Sequence, residues 1–287
     1  MQLWCARLTW VLLPVSAGGA LGDALSGWST APARVAAVLL WAAWAVGLMA
    51  LLAPRLWGLT ALRIVAPAAI VMACAAAAST SASSAALAIT SCVVAAAFAL
   101  STRVAQEAGN SLAYGDEVRF PLRVPTPLLL GPVPLAVALV ISGVTAGPLL
   151  IADDRVVVGI IVTVIGVPIA YALVRSLHAL GSRWLVIVPA GMVVADPFTL
   201  TEPVLMRREN ITRLEHVREP RGSDATLDLR LGTHAGTIEI RLDAPQTFGR
   251  RRGRKDSDLR DTADVLVAPV QVAGVLALAA ERRIATV

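Results

Sequence analysis

The densest chemistry in the chain is the run Gly249-Arg250-Arg251-Arg252-Gly253-Arg254-Lys255, with five basic residues in six positions. Beside a bilayer, Arg250, Arg251, Arg252, Arg254 and Lys255 would meet anionic lipid head groups, at about 1 kcal/mol per residue near the surface. Nucleic acid is the weaker partner, because no aromatic residue interleaves the run and Asp256, Asp258, Asp261 and Asp264 follow directly. A self-neutralised loop between strands is the competing reading. A second feature is Tyr114-Gly-Asp-Glu-Val-Arg-Phe-Pro-Leu-Arg-Val-Pro125, where charge alternates with apolar residues and two prolines oppose a helix. One reading is an extended strap docking on a folded domain through Asp116, Glu117, Arg119, Phe120 and Arg123, with the two carboxylates meeting arginines there. The other is a solvated loop held near the membrane interface by Phe120 and the arginines.

The remaining reactive side chains form no set. Cys5, Cys74 and Cys92 are far apart and suit small apolar packing positions. His178, His216 and His234 lack ligand spacing with one another or with cysteine. Asp153-Asp154-Arg155 is a solvated turn, since two adjacent carboxylates make no coordination shell. No Walker A sequence, His-Glu-x-x-His, Gly-x-Ser-x-Gly or helix-opening Gly-x-Gly-x-x-Gly occurs. The expectation is a protein without metal, cofactor or catalytic residues, hence not an enzyme.

The elements that position these residues follow from composition. Of 287 residues, 56% are hydrophobic and only 16% charged, with a mean hydropathy of +0.70. Water-soluble domains carry about 45–50% apolar and about 25% charged residues, so a multi-pass membrane protein is implied and disorder or a disulfide scaffold excluded. Residues 1–180 hold 9 Arg and 6 acidic residues, whereas 181–287 hold 16 basic and 14 acidic ones. The chain therefore reads as a membrane domain (1–180) and a polar domain (181–287) with its own core.

Six stretches reach the length that crosses the hydrocarbon layer: about 8–26, 33–53, 57–78, 84–102, 127–151 and 156–178. The first is interrupted by Gly18, Gly19, Gly22 and Asp23, and also resembles a cleavable signal peptide. With the N-terminus inside, Arg7, Arg55, Arg63, Arg103, Arg119, Arg123, Arg175 and Arg183 fall on the cytoplasmic side, against Arg34 and Arg155 outside. Both termini and the 181–287 domain are then cytoplasmic, in the cell (inner) membrane. Arg63 and Arg175 lie near span ends, where they can snorkel, and no ionisable group is clearly central. Thr80, Ser81, Ser83, Ser84, Thr90 and Ser91 either line a pathway or form a polar outer turn with close packing. Gly18-x-x-x-Gly22 and Gly143-x-x-x-Gly147 read as close helix packing within the chain, with homo-oligomerisation the minor option.

From residue 183 the pattern becomes short strands at 183–189, 191–196, 203–208, 211–217, 226–231, 237–242 and 264–268, with a closing helix over 269–283. Leu227, Leu229, Leu231 and Ile238, Ile240, Leu242 alternate strictly and mark buried faces. Seven strands and a C-terminal amphipathic helix give the element order of a pleckstrin-homology-like (PH-like) barrel. The segments Trp184-Leu-Val-Ile-Val-Pro-Ala-Gly-Met-Val-Val-Ala-Asp196, Val204-Leu-Met-Arg-Arg-Glu-Asn-Ile-Thr-Arg-Leu214 and Val265-Leu-Val-Ala-Pro269 resemble bacterial PH-like domains joined to membrane spans. The whole chain resembles an uncharacterised bacterial multi-pass membrane protein family. The resemblance implies a binding platform and no particular ligand.

The expected fold class is thus an α-helical transmembrane bundle followed by a cytoplasmic α+β domain. The expected function is a membrane-anchored binding or scaffold module, with membrane lipids and a protein as partners. The alternative is a transporter or channel component with a regulatory domain.

Overall fold

The computed structural model describes residues 2–111, 113–218, 225–252 and 256–286. They form two compact units: Met1–Ala108 with Val133–His178, and Gly109–Pro132 with Ala179–Val287. The strap segment thus belongs to the second unit rather than to the 1–180 half.

The first unit begins with three short helices, α1 (Gln2–Val11), α2 (Leu13–Ser16) and α3 (Gly18–Ser26). Long helices follow: α4 (Thr30–Leu52), α5 (Leu56–Ala76), α6 (Ala82–Ala99) and, after the short α7 (Thr102–Asn110) and the short α8 (Thr126–Leu130) that belongs to the second unit, α9 (Pro132–Ala152) and α10 (Val156–Gly181). Among the described residues, five stretches are long and apolar enough to cross a membrane: Thr30–Leu52, Leu56–Ser79, Ala82–Ala99, Thr126–Ala152 and Val156–Gly181. The expected first span over 8–26 is not one such helix. Pro14 lacks an N–H, so the Trp10 carbonyl loses its helical donor four residues on. Trp44 Nε1 donates to that oxygen at 3.0 Å, and Trp10 Nε1 donates to Trp44 O at 2.9 Å. Gly47 permits this approach, since a Cβ there would lie 2.1 Å from the Trp10 ring.

Small residues set the packing elsewhere in this unit. Ala66, Ala73, Ala88, Ala95, Ala96 and Ala99 are buried and bring α5 and α6 close together. On α9, a Cβ at Gly143 would come within 2.7 Å of Gly166 O on α10, so the second glycine pair packs helices as expected. The first pair does not: a Cβ at Gly18 or Gly22 would meet nothing within 4 Å.

The second unit contains β1 (Val118–Pro121), β2 (Trp184–Val188), β3 (Gly191–Ala195), β4 (Val204–Arg207), β5 (Ile211–Val217), β6 (Leu227–Asp228), β7 (Thr237–Arg251), β8 (Ser257–Val267) and the helix α11 (Val272–Glu281). They form two four-stranded sheets, ordered β1-β2-β3-β4 and β5-β7-β8-β6. Among the described residues no closed barrel forms; the seven strands expected after residue 183 occur as β2–β8, and the strap adds β1 to them. The tight β2–β3 turn needs Gly191, whose φ is +149° and whose absent Cβ would strike Met206 O. The strand expected over 226–231 is cut to two residues paired parallel to β8, because Leu231 adopts a φ of +55° and turns the chain. β7 runs nine residues past the expected end at 242, and β8 starts seven residues before 264. Phe120, Leu185, Met192, Ile238, Phe248 and Val265 share one buried core, on which Val275 and Ala279 of α11 also pack.

Candidate functional site

The strap 114–125 enters the second unit as its first strand. β1 pairs antiparallel with β2, with Val118 opposite Ile187 and Pro121 opposite Trp184. Phe120 and Leu122 point into the core, and each is 5% exposed. Arg123 Nε and Nη2 donate to Pro269 O and Val270 O at 3.2 and 3.0 Å. The carboxylates behave differently from the expectation that both would meet arginines on the domain. Asp116 engages Arg282 through its backbone carbonyl. Glu117 pairs within the strap, accepting from Arg119 Nη2 at 2.7 Å and from the Tyr114 amide at 2.9 Å. Partial burial would raise the Glu117 pKa, but those hydrogen bonds and the Arg119 charge outweigh it and hold the carboxyl below its ordinary range.

At the centre of this arrangement is a buried ion pair of Arg183, which in the sequence counts only among the cytoplasmic-side arginines. Arg183 and Asp196 have side chains 1% and 0% exposed, with Nε 2.8 Å from Oδ2. Arg183 also donates to Arg123 O at 3.0 Å and to Leu229 O. Asp196 Oδ1 accepts from the Phe198 and Thr199 amides. One guanidinium therefore joins the strap, the β2 entrance, the turn after β3 and the 229 segment. A sequence sign was available: Arg183 directly precedes the apolar β2 run, and Asp196 closes β3 before Pro197.

Of the basic run, Gly249, Arg250 and Arg251 end β7 and Arg252 follows it. Arg250 pairs across the hairpin with Asp258, and Arg251 with Ser257. Arg251 Nε donates to Leu200 O at 3.0 Å, and Arg252 Nε to Asp258 Oδ2 at 2.8 Å. Arg254 and Lys255 lie outside the described residues. The same hairpin end exposes Leu259, 81% accessible, opposite Gly249. The adjoining turn, whose Thr199 O accepts from the Arg251 amide, exposes Phe198. Neither apolar residue stood out in the sequence, since each is single and flanked by polar residues.

Farther along, Arg230 holds Asp228 through Nε and Nη2 at 2.9 and 2.7 Å. Burial opposes ionisation of Asp228, but the hydrogen bonds and charge of Arg230 keep its pKa lowered.

In the first unit several hydroxyl residues make local or interhelical hydrogen bonds. Ser81 Oγ accepts from the Ser84 amide at the start of α6, Thr80 donates to Asp23 Oδ2 at 2.6 Å, and Ser91 donates to Ala88 O. His178 stacks on Trp57, with centroids 3.6 Å apart and planes at 4°, while Thr60 Oγ1 lies 2.9 Å from its Nδ1. The three cysteines are free thiols. Among the described residues no group of three or more His, Cys, Asp or Glu is placed to hold a metal ion. No protein-family model, curated protein or solved structure matches this chain.

Proposed function

We propose that the protein is a non-enzymatic, membrane-anchored binding module, with its C-terminus cytoplasmic and its α/β unit serving as a PH-like platform. The observation that carries the reading is the β7–β8 end, where Arg250, Arg251 and Arg252 stand beside the exposed Leu259 and Phe198. Between Arg250 and Asp258 the chain has five basic and two acidic residues, a net charge of plus three. Cations flanking exposed apolar side chains suit an anionic lipid surface, where phosphates meet the arginines and the apolar groups enter the headgroup boundary. A protein partner remains compatible with the same platform.

The test uses the full chain in phosphatidylcholine nanodiscs with and without phosphatidylglycerol, read by hydrogen exchange. Anionic lipid should slow exchange across 246–262, and the triple variant Arg250→Gln, Arg251→Gln, Arg252→Gln should abolish that slowing. Equal exchange in both lipids would refute the lipid reading. A reporter fused at the C-terminus should be active only on the cytoplasmic side.

A further inference from the structure

A cavity of about 410 Å³ lies inside the first unit, between the interrupted segment α1–α3 and helices α4, α5 and α6. That size falls within the range of about 300–1,000 Å³ typical of ligand sites. Its wall includes Leu21, Leu40, Trp41, Val65, Met72 and Cys92, and no charged residue lines it. The lining covers similar lengths of two helices. On α4 it runs from Ala37 to Trp44, and on α5 from Val65 to Met72, each about 10 Å at 1.5 Å per residue. Gly18 and Gly22 also line it, which explains why a Cβ at either would meet open space. The indole N–H groups of Trp10 and Trp44 are spent on each other's carbonyls, so this part of the wall offers a ligand little polar attraction.

These walls belong to the middle turns of helices apolar enough to cross a membrane, where the surrounding medium is hydrocarbon. One turn beyond Ala37, on the same face of α4, stands the exposed Arg34, which makes no ion pair among the described residues. From this juxtaposition we infer that the cavity is a lipid site: one acyl chain of a phospholipid lies along it, and the phosphate meets Arg34. The uncharged apolar wall selects a hydrocarbon chain over a polar solute, and the Arg34 cation one turn beyond Ala37 selects an anionic group.

Native mass spectrometry of the full chain, released from mild detergent with phosphatidylglycerol added, tests the site. The wild-type protein should retain one phospholipid. Gly22→Leu, whose side chain grows into the cavity without a Cβ clash, should lower occupancy at least about tenfold, the loss expected when about two methylene groups are denied burial. Ala69→Leu, which fills the cavity from α5, gives an independent measurement if the first variant folds poorly. Arg34→Gln should weaken retention of phosphatidylglycerol several-fold. Equal lipid retention in wild type and in the folded cavity-filling variants would mean boundary lipid only and overturn the proposal. Retention of an isoprenoid lipid in place of a phospholipid, or indifference to Arg34→Gln, would overturn the headgroup assignment.

Discussion

Replacing Arg183 with Met removes one partner of the Arg183–Asp196 pair and strands a carboxylate that water does not reach, its side chain being 0% exposed. Breaking a buried pair in this way costs about 3–5 kcal/mol. The Arg123 and Leu229 carbonyls lose a donor at the same time. Against a domain stability of about 5–15 kcal/mol, this is a large fraction. At about 1.4 kcal/mol per factor of ten, amide protection in β1, β2 and β3 should fall by about two to nearly four orders of magnitude. Hydrogen exchange of the full chain in nanodiscs, resolved over 118–123 and 184–195, measures it. Asp196→Asn alone should also destabilise, by leaving the Arg183 charge without its counterion. The double variant should cost less than the sum of the singles, with a coupling of about 0.5–3 kcal/mol, because the same interaction is removed only once. A loss for Arg183→Met within about 0.5 kcal/mol, the range of ordinary surface substitutions, would refute the reasoning, as would strict additivity.

Phe120→Ala should destabilise the second unit by about 3–5 kcal/mol, since the ring is buried in its core. For the same reason a 181–287 fragment should remain unfolded by circular dichroism until a 114–125 peptide is added. Trp44→Phe should cost about 0.6–1.7 kcal/mol in detergent unfolding, and less in a Pro14→Ala background, where the residue 14 amide can take over the Trp10 carbonyl. Glu117 and Asp228 both titrate lower in the folded chain than in the unfolded one. Their stabilisation is therefore complete above the ordinary carboxylate range and is lost as pH falls from about 4 through the folded pKa values. Exchange over 114–123 should accelerate on acidification below about pH 4, and Glu117→Gln should blunt that dependence. A flat profile would contradict the pairing of Glu117 with Arg119.

Long apolar stretches were legible because crossing length is a local property of composition, and each of the five appears as a helix. The strands at 184–188, 191–195, 204–207 and 211–217 were legible for a similar reason: β-formers bounded by turn residues. The break of the 8–26 segment into short helices was not legible, because hydropathy does not register a missing backbone donor at Pro14. The outer halves of β7 and β8 were missed because charged residues occupy both of their faces. Their strand state comes from a partner, Gln246–Arg251 pairing with Ser257–Thr262.

By itself the sequence determined the division between apolar helices and a charged, strand-rich remainder, since hydrophobicity and alternation act over a few neighbouring residues. Only the tertiary structure decided that the strap is a strand and that Arg183 is a buried clasp. It also decided that two glycines with a packing-motif spacing instead border an open cavity. Each of these depends on partners 13 to 65 residues away, Leu185 for Phe120, Asp196 and Leu229 for Arg183, Trp41 and Met72 across from Gly22. Burial and hydrogen bonding are properties of the assembled neighbours, and local spacing carries no record of which neighbours arrive.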